Sequence, residues 1–152
     1  MGLVRKWLSR LIGKPLKIDD AFFGRLVSMG SYWEARRLFS PTGVEIELFI
    51  DAPGERQPPN AQQREFFAWV KHHYVEIMGN VPQVARPRYE RWFRRSIDVP
   101  FEAEFMLTSF SIPAPMEGPA EWEMSFDSRT DPNHILVVEL RGAEALVARM
   151  DG

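Results

Sequence analysis

The hydrophobic pattern of residues 22–51 predicts an antiparallel meander of three short strands. Its apolar stretches are interrupted by Met29-Gly30-Ser31 and by Ser40-Pro41-Thr42-Gly43, which have the composition of tight turns. In the third stretch apolar positions alternate with outward ones: Val44, Ile46, Leu48 and Ile50 against Glu45, Glu47 and Phe49. This period of two predicts a strand with one buried face and one mostly acidic face.

Two helices are predicted after the meander. Asn60 is a suitable N-cap and Gln63 stands where a capping-box partner belongs, so the first helix is predicted over Ala61–Met78, ending at Gly79-Asn80. Its core stripe is Phe66, Val70, Tyr74 and Ile77. A second helix is predicted from Pro87 to about Ser96, because proline is favoured in a first turn.

The last third of the chain returns to strand patterns. The predicted strands are Phe105–Ile112, Glu121–Ser128, Ile135–Arg141 and Ala145–Met150. Strands, then helices, then strands predict an α+β fold, a mainly antiparallel sheet with the helices packed on one face. The predicted core comprises Phe22, Leu26, Trp33, Ile46, Leu48, Phe66, Val70, Trp92, Trp122, Phe126 and Val137.

Residues 1–14 have the pattern of a short basic amphipathic helix. One side carries Leu3, Val4, Trp7, Leu8, Leu11 and Ile12, and the other carries Arg5, Lys6 and Ser9. Such a helix, acting through Leu3, Trp7, Leu8 and Leu11, would dock on protein or lie on an anionic membrane surface. We expect residues 15–20 to be a linker and residues 21–152 to form a single domain.

Composition narrows the class of protein. A chain of 152 residues with 45% hydrophobic residues fits one globular domain. Because there is no cysteine, disulfides, thiolate metal sites and cysteine nucleophiles are excluded. The longest aliphatic run, Ile135–Val138, is far too short to span a bilayer, and no secretory segment is visible, so we expect a cytoplasmic protein.

Several segments after residue 19 carry a resemblance to a known family. They are Asp20-Ala21-Phe22-Phe23-Gly24-x-Leu26, Ser31-Tyr32-Trp33-Glu34, Pro41-Thr42-Gly43-x-Glu45-Ile46-x-Leu48-Phe49-Ile50, Gln62-Gln63-Arg64, Glu121-Trp122-Glu123-Met124-Ser125-Phe126 and Asp131-Pro132-x-His134. With these segments the chain resembles a bacterial family of uncharacterised single-domain proteins, a domain-of-unknown-function family. The resemblance implies a fold and no catalytic residues. Small proteins of this general type look like immunity partners of bacterial toxins, which is a fold-level analogy.

The acidic outward positions of the strands are the first candidate site. They are Glu45, Glu47, Glu121, Glu123 and Asp127. If their strands adjoin, one sheet face carries clustered carboxylates, which destabilise a sheet unless a cationic partner meets them. The alternative is that they are ordinary surface charges among Arg36, Arg37 and Arg129.

Two other clusters are weaker candidates. Asp131 and His134 could form part of an acid–base or ligand site, but the sequence around Pro132 is also that of a plain turn. His72 and His73 point about 100° apart on a helix, so they are not expected to share a metal ion.

An arginine stripe on the second predicted helix is the remaining candidate. Arg88, Arg91 and Arg95 are spaced to share one face, with Arg94 beside them. A solvated face, or one paired with the acidic end of the chain, is favoured over nucleic-acid binding because the net charge is −2.

The sequence therefore predicts a non-catalytic, immunity-like binding protein with an acidic sheet surface and a protein partner, and a basic partner would suit that surface. It predicts no catalytic residue, metal, cofactor or nucleic-acid partner, and leaves the oligomeric state open. The alternatives are a membrane or assembly protein acting through the N-terminal segment, and an enzyme or ligand-binding domain near Asp131 and His134.

Overall fold

The computed structural model describes residues 15–152, which form an eight-stranded sheet and three helices. The strands are β1 Lys17–Asp20, β2 Gly24–Ser28, β3 Tyr32–Phe39, β4 Val44–Asp51, β5 Phe105–Ile112, β6 Glu121–Ser128, β7 Ile135–Arg141 and β8 Glu144–Asp151. The helices are α1 Ala61–His72, α2 Tyr74–Phe93 and α3 Phe101–Glu104. The prediction of an α+β fold with a mainly antiparallel sheet is confirmed.

The strands lie in the sheet in the order in which they occur along the chain. Every neighbouring pair is antiparallel except β4 and β5, which run parallel with Glu47 opposite Ser109. A parallel pair needs a long crossover, and the three helices provide it. The helices thus cover one face of the sheet, and we call the opposite face the open face.

A single hydrophobic core lies between the helices and the sheet. Every second residue of the central strands is buried there, including Trp33, Phe39, Ile46, Leu48, Phe110, Trp122, Met124 and Phe126. From α1, Phe67 lies 6.1 Å edge-on from Phe39 and 5.9 Å stacked from Phe110, measured between ring centroids. Such offset and edge-to-face pairs stabilise beyond the area they bury.

The predicted capping box is confirmed and also ties α1 to the sheet. The Asn60 side chain accepts from the Gln63 N–H, and the Gln63 side chain accepts from the Asn60 N–H, both at 3.1 Å. Nε2 of the buried Gln63 then donates to the carbonyls of Asp51 and Pro113, at 2.6 and 3.2 Å. One side chain therefore fixes the start of α1 against the ends of β4 and β5.

The helix boundaries differ from those predicted. The break falls at His73, and α2 continues through Gly79, Asn80, Pro82 and Pro87 to Phe93. A tertiary contact helps to outweigh these breakers, because the Asn80 side chain donates to the carbonyl of Ala143 at 2.9 Å. Within the helix, the Gln83 side chain donates to the carbonyl of Gly79. Buried Ile77, Met78, Val81, Ala85 and Tyr89 hold the rest of the helix on the core.

Three further expectations differ from the structure. Lys17–Asp20, expected to be a linker, form an edge strand paired with β2. Val137 is buried but lies on the open face, opposite Ser125 and Arg149. Trp92, expected in the core, is 46% exposed because α2 turns that side toward solvent and the β6–β7 hairpin.

The predicted N-terminal helix, with Leu3, Trp7, Leu8 and Leu11, lies outside the described residues. Within residues 15–152, no helix has both the length and the apolar character needed to cross a membrane.

Candidate functional site

The open face carries the five carboxylates singled out in the sequence. Because Ile46, Leu48 and Ile50 point into the core, Glu45 and Glu47 point the other way from β4. The same alternation in β6 places Glu121, Glu123 and Asp127 outward, opposite Trp122, Met124 and Phe126. The five carboxylates therefore share one face of one sheet.

The two strands that carry them do not adjoin. β5 lies between β4 and β6, so the carboxylates form two rows about 10 Å apart. Across the middle of the sheet, Glu47 pairs with Ser109, and Ser109 with Ser125. Nearer the start of β5, Met106 lies opposite Asp127. The strip between the two acidic rows is thus built from small polar residues and one methionine.

Arginines bridge the carboxylates at one end of the open face. Arg149 on β8 donates to Glu123 at 3.0 Å, to Glu139 at 2.8 Å and to Asp151 at 3.1 Å. Burial alone would lower the pKa of Arg149, but the hydrogen bonds and charges of Glu123 and Asp151 raise it. At the end of β6, Arg141 donates to Glu121 at 3.2 Å.

The other end of the open face keeps an excess of negative charge. Arg36 donates to Glu47 at 3.1 Å in an exposed pair. Within residues 15–152, Glu45 and Asp127 form no salt bridge and accept no side-chain hydrogen bond. Partial burial raises the pKa of Asp127, and the negative charge of Glu47 raises it further.

These residues surround a shallow depression of about 470 Å³, which we call the acidic groove. Its lining includes Arg36, Glu45, Glu47, Met106, Thr108 and Asp127. Three carboxylates there meet one guanidinium, beside the exposed side chain of Met106. An arginine or lysine from a partner could lay its methylene stem on Met106 and its charge against Asp127.

The alternative of ordinary surface charges holds only in part. Arg36 does lie among the carboxylates, but Arg37 points to the helix side of the sheet. Its guanidinium lies 4.1 Å from the Phe22 ring centroid and 4.4 Å from that of Phe67, and burial lowers its pKa. In the β6–β7 hairpin, the backbone N–H of Arg129 donates to the Glu104 carbonyl.

Asp131 and His134 are brought together in the β6–β7 hairpin. Nδ1 of His134 lies 2.7 Å from Oδ2 of Asp131, and the Trp92 indole N–H donates to the same oxygen at 3.3 Å. Burial would raise the pKa of Asp131, but hydrogen bonds from Trp92, Asn133 and His134 hold it below its usual range. These contacts close the turn, and neither side chain lines the acidic groove.

The paired histidines have separate surroundings. The ring of His73 stacks on Trp69, with 4.8 Å between centroids, and its Nδ1 lies 2.9 Å from the Trp69 carbonyl. His72 is exposed. Over residues 15–152, no three His, Asp or Glu side chains are grouped so that they could hold a metal ion.

Sequence reasoning missed the residues that complete the groove and its surroundings. Met106 and Thr108 belong to a predicted strand, but their place between Glu47 and Asp127 depends on β5 lying between β4 and β6. Arg149 on β8 contacts Glu139 on β7 and Glu123 on β6, and no local sequence pattern indicates these contacts. Comparison with protein families, with curated proteins and with solved structures finds no match to this chain.

Proposed function

We propose that this protein is a non-catalytic binding protein that receives a basic segment of a protein partner in the acidic groove. The observation that carries the proposal is the unbalanced charge of Glu45, Glu47 and Asp127 around Met106 and Thr108. Elsewhere on the same face, Arg141 contacts Glu121 and Arg149 contacts Glu123. Glu45 and Asp127 in the groove have no such arginine contact within residues 15–152, so a cation from a partner could approach them.

Electrostatics favours a basic partner over a neutral one. Carboxylates held near each other repel, so the ionised groove is less stable than a neutral one would be. A partner's lysine or arginine removes that repulsion while gaining attraction of its own. Complementary charge of this kind chiefly raises the association rate and the specificity.

The apolar residues of the groove restrict the geometry of the partner. Met106 is 41% exposed, and Leu38, opposite Glu45 on β3, is 62% exposed. An extended segment with alternating basic and aliphatic side chains would meet both the carboxylates and these two residues. We therefore expect alternating Lys-Leu sequences to bind better than polylysine of equal charge.

The test uses the whole protein and a synthetic peptide of alternating lysine and leucine, with a glutamate–leucine peptide as the control ligand. We expect amide shifts in NMR spectra at Glu45, Thr108 and Asp127 with the basic peptide only. The variant Glu45→Lys/Asp127→Lys should weaken binding by at least about tenfold, since two attractive contacts become repulsive.

A matched variant separates the groove from net charge. Glu65→Lys/Glu144→Lys makes the same change in net charge at exposed positions outside the groove. It should bind the basic peptide as the unmodified protein does. Equal weakening by both double variants, or shifts that map away from β4–β6, would exclude the acidic groove as the binding surface.

An immunity-like role is the finer form of this proposal. It is supported by the acidic surface, which would suit a basic toxin domain. Co-expression with the product of an adjacent gene should protect cells if that product is toxic, and Glu45→Lys/Asp127→Lys should abolish the protection. A toxic neighbour that the double variant still neutralises would argue against the groove.

A further inference from the structure

A second surface stands out on the helix side of the molecule, at the end of α2. Trp92 is 46% exposed there, yet its orientation is fixed. Its indole N–H donates to Asp131, and its ring lies 4.8 Å from that of His134, measured between centroids. Tryptophan is usually largely buried, so an indole that is held in place and left half in solvent suggests a contact surface.

Exposed arginines surround this indole. Arg88, Arg91 and Arg94 line a depression of about 420 Å³ with Trp92, and we call these four residues the arginine–tryptophan patch. None of the three arginines forms a salt bridge with a carboxylate of residues 15–152, whereas the neighbouring Arg86 pairs with Glu90 at 3.5 Å. Of the two expectations for this stripe, these three arginines therefore fit the solvated face, whereas the charge of Arg95 acts on Glu104 and helps to lower its pKa.

The end of α2 determines which arginines belong to the patch. The helix ends at Phe93 instead of continuing to Ser96, and Arg94 adopts a left-handed conformation with φ 58°. Arg94 therefore replaces Arg95, which the sequence placed on the stripe, as the third member. Arg88 and Arg91 lie about 100° and about 160° around the helix from buried Tyr89, so these two arginines point away from the core, while Trp92 beside them contacts the β6–β7 hairpin.

We propose that the arginine–tryptophan patch docks the protein on an anionic membrane surface. Guanidinium groups bind phosphate oxygens with several parallel hydrogen bonds, and indole rings favour the level of the lipid headgroups. Each basic residue near an anionic leaflet contributes about 1 kcal/mol.

The chain itself favours lipid over nucleic acid as the anionic partner. The net charge of −2 and the acidic open face oppose binding of a long polyanion that wraps the protein. A flat membrane touches one side only. In addition, residues 1–14 contain Arg5, Lys6, Arg10 and Trp7, a second basic and aromatic segment of the composition that favours anionic membrane surfaces.

The experiment measures binding of the full-length protein to vesicles by flotation. Vesicles of phosphatidylserine and phosphatidylcholine in equal parts should bind it, and vesicles of phosphatidylcholine alone should not. The variant Arg88→Gln/Arg91→Gln/Arg94→Gln should lower the partition coefficient by about 100-fold, three contributions of about 1 kcal/mol each. Trp92→Phe should remove part of the blue shift of tryptophan fluorescence on binding.

The control is Arg25→Gln/Arg56→Gln/Lys71→Gln, which removes the same charge from exposed positions outside the patch. It should retain most of the binding, and circular dichroism should show that both triple variants are folded. The proposal is overturned if the unmodified protein does not bind acidic vesicles, if both triple variants lose binding equally, or if the patch variant binds normally.

Patch-dependent binding of an oligonucleotide without vesicle binding would assign the patch to nucleic acid instead. Groove variants do not touch these residues, so the two proposals fail separately.

Discussion

Replacing Asp127 by Asn should stabilise the protein at neutral pH, although it removes a surface charge. In the folded protein, burial and the charge of Glu47 raise the pKa of Asp127 above its usual 3.8. A raised carboxyl pKa means that the ionised form is less favourable in the folded chain than in the unfolded one. Asparagine keeps the shape of the side chain and removes that charge.

The size of the effect follows from the sheet geometry. Two strand spacings separate β4 from β6, and two unit charges about 10 Å apart repel by about 0.4 kcal/mol at a dielectric constant of 80 and about 1.7 at 20. Screening at about 0.15 M salt, with a Debye length of about 8 Å, reduces this to roughly 0.1–0.5 kcal/mol. For a chain of this length the melting temperature should rise by up to about 2 °C.

The stabilisation expected for Asp127→Asn should depend on pH and on salt concentration. The destabilisation by Asp127 sets in as the pH rises through the unfolded pKa, and it reaches its full size above the raised folded pKa. The gain of Asp127→Asn should therefore be present at neutral pH, disappear in acid where both side chains are neutral, and shrink as salt is added.

The assay is thermal and urea unfolding at several pH values and salt concentrations, with Glu121→Gln as the control. Glu121 pairs with Arg141 in an exposed contact, so its neutralisation should have no effect or lower the free energy of unfolding by a few tenths of a kcal/mol. Asp127→Asn with unchanged or reduced stability at low salt and pH 7 would refute the repulsion inferred for the groove.

Two further predictions concern the polar contacts around the sheet. Arg149→Met should lower the free energy of unfolding at pH 7 by about 1–2 kcal/mol, because three carboxylates then face one another across β6–β8. Urea unfolding should show a smaller loss of stability in acid, where the carboxylates are neutral. An equal loss at both pH values would contradict the charge argument. Burial alone would raise the pKa of Glu104, but hydrogen bonds from Thr130 and Ser128 lower that pKa below its usual 4.5. The ionised Glu104 therefore stabilises the fold above pH 4.5, and this stabilisation is lost as the pH falls through the lowered pKa. Glu104→Gln should accordingly cost about 1 kcal/mol at pH 7 and flatten the acid limb of the stability profile; an unchanged acid limb would exclude this role.

Local signals in the sequence were sufficient for most of the fold. The capping box of Asn60 and Gln63 and the period of two in β4 and β6 depend on neighbouring residues only, and the structure confirms both. The break between the helices could not be found this way. Gly79 and Pro82 are strong local breakers, but the packing of α2 on the core outweighs them.

The candidate site was predictable in its parts and not in its arrangement. Alternation was enough to place Glu45 and Asp127 on the outward side of their strands. Their grouping depends on the insertion of β5 between β4 and β6, a non-local pairing. The contacts of Arg149 with three carboxylates also depend on strand pairing, here of β8 with β7. That pairing contains a register shift between Glu139 and Leu140. Only the fold brings such residues together.

The two proposed surfaces lie on opposite sides of the sheet, and this arrangement connects them. Docking through the arginine–tryptophan patch would leave the acidic groove facing the solution, since the patch is on the helix side. The opposite orientation would bring the groove carboxylates against an anionic leaflet and is disfavoured by repulsion. A membrane-bound protein would therefore hold its groove toward basic partners in solution. Peptide binding to the groove should then persist on acidic vesicles, and peptide that displaces the protein from them would show that both ligands compete for one surface.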